Sequence, residues 1–72
     1  MYLLRLEDLR RNLDLTQQDI CKLLKIKQPQ YSRYENGDRE IPLKYLIKLS
    51  QFYKVSVDYI LGLTNEKKKL YK

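Results

Sequence analysis

The chain has 72 residues, with 15 Lys plus Arg against 9 Asp plus Glu, a formal charge of +6, no His, no Trp and a single Cys. A hydrophobic share of 43% beside 33% charged residues fits one small globular core and not a disordered chain. Without His and with a lone Cys21, the chain has no means to build a Cys/His zinc site, a disulfide or a His-based catalytic triad, so no cofactor or metal is expected. No apolar run approaches the ~18 residues that a membrane helix needs, and the expected location is cytoplasmic.

The charge is uneven. Residues 66–72 carry Lys67, Lys68, Lys69 and Lys72 against Glu66, a net +3 that leaves +3 for residues 1–65. The expected organisation is therefore one domain over 1–65 and a basic tail over 66–72, and the tail reads as a solvated end that adds weak attraction for an anionic polymer. Net charge alone says little about nucleic acid.

No stretch alternates with a period of two, and Gly and Pro fall between helical patterns, so the fold is expected to be all-α. At ~100° per residue, Leu6, Leu9 and Leu13 share a narrow arc of a first helix over about Leu3 to Leu13, with Arg10 beside them at the core edge. Thr16 followed three positions on by Asp19 is a capping-box pattern opening a second helix, Gln17 to Leu24, with Ile20, Leu23 and Leu24 on its buried face. Cys21 reads as a small buried hydrophobe.

Lys25-Ile26-Lys27 links this helix tightly to a third, about Gln28 to Glu35, which Asn36-Gly37 ends because both residues tolerate the left-handed C-cap. Pro42 suits the first position of a fourth helix running to about Tyr53, where Leu46, Leu49 and Tyr53 recur at helical spacing. Ser56 caps a short fifth helix and Gly62 stops it.

The third helix carries the functional signal. Taking Gln28 as zero, Ser32 falls near ~40°, Asn36 near ~80°, Pro29 near ~100° and Arg33 near ~140°, on one polar face. Tyr31 and Tyr34 fall on the opposite side, toward the first two helices. The outer face presents amide, hydroxyl and guanidinium groups, which read bases: Gln pairs with adenine, Arg with guanine O6 and N7, Ser with either, and a helix fits the ~12 Å major groove. For this helix alone, a solvated face is an equally good reading.

The run QQDICKLLKIKQPQYSRYEN from Gln17 to Asn36, flanked by Thr16 and Gly37, resembles the helix-turn-helix of the phage repressor and Cro class, the xenobiotic-response-element family. Cys21 at a position usually Ala, the stretch Ser32 to Gly37, Pro42 and the ending Val55 to Gly62 extend the resemblance over most of the chain. It implies a five-helix, lambda-repressor-like DNA-binding domain in which the second helix lies over the phosphate backbone and the third enters the major groove.

By that resemblance, Gln28, Pro29, Ser32 and Arg33 stand at base-contacting positions, and Thr16, Gln17, Lys27, Asn36 and Arg39 at phosphate-contacting ones. Gln17 matches a residue that both bonds a phosphate and braces Gln28. Arg10 and Glu35 match a buried, structural ion pair. Three positions depart from the family pattern: Lys25 replaces a frequent Gly, Lys27 a frequent Ser cap, and Tyr31 the usual Ile or Val. Lys27 opposes the helix dipole and offers no cap acceptor, which suits a nearby phosphate as well as simple extension into water. Leu43 stands where some relatives place a minor-groove arginine, with Arg39 as its substitute.

Tyr45, Phe52, Tyr59, Leu63, Leu70 and Tyr71 are the candidates for a dimer patch, although half of them read equally well as core. The expected function is sequence-specific binding of double-stranded DNA by a transcriptional repressor, a homodimer on a palindromic operator. The alternative is a protein-interaction module such as an antitoxin or accessory regulator. No acid/base pair, phosphate loop or metal set supports an enzyme.

Overall fold

A computed structural model describes residues 4–65 of the chain, the side chain of Leu4 excepted. Among the described residues five helices follow one another: α1 Leu4–Asn12, α2 Gln17–Leu24, α3 Gln28–Asn36, α4 Leu43–Tyr53 and α5 Val57–Ile60. No strand occurs among the described residues. The basic tail, with Leu70 and Tyr71, and the start of the first helix at Leu3 lie outside the described residues.

The core gathers Leu6 and Leu9 from α1, Ile20, Cys21 and Leu24 from α2, Tyr31 and Tyr34 from α3, Leu46 and Leu49 from α4, then Val55 and Ile60. Burial of these side chains is the main force holding five short helices together, since helices of 4 to 11 residues are marginal alone. Leu23 is only half-buried at the core margin, and so is Tyr53. Cys21 is buried, and loss of solvation pushes its thiol pKa up, as a small hydrophobe requires.

Each boundary has a local cause. Thr16 accepts the amide of Asp19 through Oγ1 at 3.2 Å and donates its own amide to Asp19 Oδ2 at 2.9 Å, a completed capping box. Those bonds hold the Asp19 carboxyl below its ordinary pKa. Gly37 closes α3 at φ 81°, a conformation that lacks a steric penalty only for glycine. Pro42 precedes α4 as its N-cap and not as its first residue, while Ser56 caps α5 by accepting the Tyr59 amide at 2.9 Å.

Leu13 departs from expectation. The helical arc that placed it with Leu6 and Leu9 assumes a helix continuing through it, but α1 ends at Asn12 and the chain turns at Asp14 with φ 56°. Leu13 is consequently 54% exposed. Among the described residues, Asp14 is one of three non-glycine residues held left-handed at helix ends, with Lys25 at φ 59° and Lys54 at φ 59°.

Candidate nucleic-acid interface

One buried network orients α3. Arg10 donates from Nε to Glu35 Oε2 at 2.8 Å and from Nη2 to Oε1 at 3.2 Å, while its Nη1 bonds the Leu15 carbonyl at 3.0 Å. Gln17 adds a bond from Nε2 to Glu35 Oε1 at 3.1 Å. The carboxylate on α3 is thus gripped by α1 and by the start of α2 at once. Burial by itself would raise the Glu35 pKa, but the bonds from Arg10, helped by Gln17, outweigh it and hold the carboxyl below its ordinary value. The Tyr31 hydroxyl, wholly buried near Glu35, is pushed far upward by lost solvation and stays neutral.

This geometry corrects one expected role. Gln17 does not brace Gln28. It shares the inward stripe of α2 with Cys21 and Leu24, four and seven residues on, and therefore points at the ion pair. Gln18, about 100° further round α2, takes the bracing position: its Nε2 donates to Gln28 Oε1 at 2.8 Å. The helical stripe that identifies Cys21 and Leu24 as buried already contains this signal.

Opposite the network, α3 presents its polar face. Gln28, Pro29, Arg33 and Asn36 are exposed and Ser32 half-buried. Asn36 donates to Ser32 Oγ across one turn at 3.5 Å, while Arg33 has no ion pair among the described residues. Pro29 sits in the first turn, where its missing amide costs nothing. Lys27, the N-cap, contributes no side-chain bond, so the leading amides of α3 are uncapped by a side chain.

An open cleft on this side is lined by Lys27, Pro29, Gln30, Arg33 and Arg39. Four of the residues singled out from sequence meet there, three of them cations, and the acidic residues nearest in sequence do not line it. Gln30 was not among the candidates. It borders the cleft while donating to the Tyr34 hydroxyl at 2.9 Å, and its place at the edge of the polar arc is the signal that identifies it. Thr16 and Gln17 lie apart from the cleft at the start of α2, and Thr16 keeps its hydroxyl proton free to donate because its oxygen serves as acceptor in the cap.

The remaining faces are of another kind. Leu43 and Ile47, one turn apart on α4, are 63% and 41% exposed, as are Phe52 at 41% and Leu63 at 73%. Tyr45 is half-buried against Tyr34, with ring centroids 6.1 Å apart. Among the described residues no group of His, Cys, Asp and Glu gathers to hold a metal, and no helix is long and apolar enough to cross a membrane.

Comparison with known proteins gives the same family. A model of the helix-turn-helix family matches residues 6–60. The uncharacterized HTH-type transcriptional regulator YobD of Bacillus subtilis is 41% identical over 66 residues, covering 92% of this chain and 59% of that protein. YqaE, named in the same way and from the same organism, is 43% identical over 68 residues, 93% of this chain and 59% of its own length. The HTH-type transcriptional regulator ImmR, also from Bacillus subtilis, is 37% identical over 65 residues, 90% of this chain and 51% of its own. The chain thus spans between half and three-fifths of the length of these relatives. No solved structure matches it. With five helices, a tight α2–α3 turn and a match running from Leu6 to Ile60, the chain belongs to the Cro and phage-repressor type of the helix-turn-helix family of transcriptional regulators.

Proposed function

We propose that the chain binds double-stranded DNA in a sequence-specific manner as the operator-reading part of a transcriptional repressor, acting as a homodimer on a palindromic site. The observation that carries this reading is the division of α3: one face is locked to α1 and α2 by Glu35, and the other offers Gln28, Pro29, Ser32 and Arg33 to a partner. Placed in a major groove, these four side chains meet base edges. Arg33 donates to guanine O6 and N7, and the Pro29 ring packs on a thymine methyl.

Thr16, Gln17, Lys27, Asn36 and Arg39 take the phosphates on either side of the groove. Lys27 at the uncapped start of α3 then has a charge partner, which removes its conflict with the helix dipole. The exposed Leu43 and Ile47 of α4 favour a second copy of the chain as a further partner. Two-fold symmetry places paired recognition helices ~34 Å apart, in successive major grooves.

Selection from a random duplex library with the purified chain at ~150 mM salt tests this. Enrichment of an inverted repeat with half-site centres one helical turn apart, and an affinity ~10³-fold or more above that for scrambled DNA, is the expected result. Weak binding that vanishes as salt rises, with no enriched sequence, would overturn it and send the search to protein partners.

A further inference from the structure

Asn36 and Gly37 form the one Asn-Gly step of the chain. Such a step is open to cyclisation: the glycine nitrogen attacks the asparagine side-chain carbonyl, and a residue without Cβ leaves the approach unhindered. The fold opposes that attack from both sides. The Gly37 amide donates to the Tyr34 carbonyl at 3.2 Å and also to the Arg33 carbonyl. Asn36 ends α3, and its side chain runs back toward the preceding turn, where Nδ2 donates to Ser32 Oγ at 3.5 Å. The electrophilic carbon is thereby held away from the attacking nitrogen, while Asn36 as a whole is exposed and within reach of water.

We infer that the Asn36-Gly37 step is a deamidation site gated by the C-cap of α3, closed while Gly37 keeps its two bonds and open when the last turn frays. On opening, the Gly37 nitrogen bonds to Asn36 Cγ and gives up its proton to solvent. The bond from Cγ to Nδ2 breaks, and that nitrogen leaves as ammonia after taking a proton from solvent. Water then cleaves the cyclic imide at either of its carbonyls. One product is aspartate at position 36, and the other carries the backbone through Cγ. No oxidant or reductant enters, and water is the co-reactant.

Either product places a carboxylate on the last turn of α3, where the negative end of the helix dipole already lies. The isomerised backbone also gains the Cβ methylene and no longer fits the cap geometry. On the proposed function Asn36 meets a phosphate, and the new charge repels it. That consequence rests on the proposed function, whereas the gated chemistry rests on the fold alone. Excursions from the folded state are thereby converted into a lasting loss of DNA affinity.

The test incubates the full chain in mildly alkaline buffer with and without denaturing guanidinium, circular dichroism confirming that the first sample is folded. The tryptic peptide 34–39 is followed by mass as its amide nitrogen is replaced by oxygen. With two bonds opposing the attack, the folded chain should deamidate ~10-fold or more slowly than the unfolded one. Asn36→Gln, whose longer side chain closes a ring less readily, should keep its mass in both samples. Equal rates in the two states overturn the gate, and an unchanged mass in the unfolded chain overturns the site. A second arm titrates DNA. Asn36→Asp should bind every duplex more weakly than Asn36→Ala at low salt, with the difference shrinking as salt rises. Equal binding of these two variants overturns the effect on DNA. If the wild-type chain binds no duplex, the proposed function fails, and the mass measurement still decides the gated site.

Discussion

The two faces of α3 use the same chemistry to opposite ends. On the inner face, Glu35 accepts bonds from Arg10 and Gln17, so its carboxylate is paired inside the domain. On the outer face, Arg33 has a guanidinium of equal bonding capacity and no ion pair among the described residues. Burial makes the difference. Glu35 is 4% exposed, where an unpaired charge is costly, whereas Arg33 is solvated and carries no such cost until a partner displaces the water. Inner-face substitutions should therefore register in stability, and outer-face substitutions in recognition.

The largest effect expected is from Arg10→Ala or Glu35→Ala. Either leaves its partner buried without a counter-charge and should cost about 3–5 kcal/mol of stability, read as a fall in the urea midpoint. A chain with so small a core should be largely unfolded by it. Equal stability in these variants would break the comparison at its inner side.

Next comes Arg33→Ala, which should cost about 1–3 kcal/mol of binding at one base position per half-site and leave the melting curve unchanged. Equal losses on specific and scrambled DNA would remove Arg33 from base reading.

Acid provides a graded version of the first test. Glu35 is held below its ordinary value of 4.5 when folded, so its contribution is fully present above that value. The contribution is lost as pH falls through the lower, folded value. Urea titrations from pH 7 to pH 3 should show stability declining at the acid end, and Glu35→Gln should flatten that part of the profile while lowering stability at neutral pH.

Thr16→Ala is expected to cost about 1 kcal/mol through loss of the α2 cap, seen in melting. The smallest effect is from Lys27→Ala. It should weaken all DNA sequences alike and reduce the slope of log affinity against log salt by about 0.9, the signature of one lost phosphate contact.

Most helix boundaries were legible in the sequence because local chemistry sets them: the Thr16–Asp19 box opens α2, and Gly37 closes α3. The inward direction of Arg10 was legible from the same periodicity. Leu13 was not, because a helical arc carries no information about where the helix stops, and the left-handed turn at Asp14 removes Leu13 from the stripe. The exchange of roles between Gln17 and Gln18 shows a second limit. Adjacent residues of one type look interchangeable in a motif, yet ~100° of helix rotation points one at a buried carboxylate and the other at α3.

At the far end of the chain, Arg5 donates from Nη1 to the carbonyls of Tyr59 at 2.7 Å and Thr64 at 2.5 Å, from Nη2 to Asn65 Oδ1 at 2.8 Å, and lies 4.3 Å over the Tyr59 ring. In polymer terms this is a noncovalent ring closure across 59 residues. The entropy of bringing such distant points together grows with the logarithm of the loop, but the core has already met that cost before the arginine engages. The clasp consequently adds only the freezing of one side chain. A segment continuing past Asn65 leaves from a point anchored to α1, so strain applied to that end is borne first by Arg5 and not by α3.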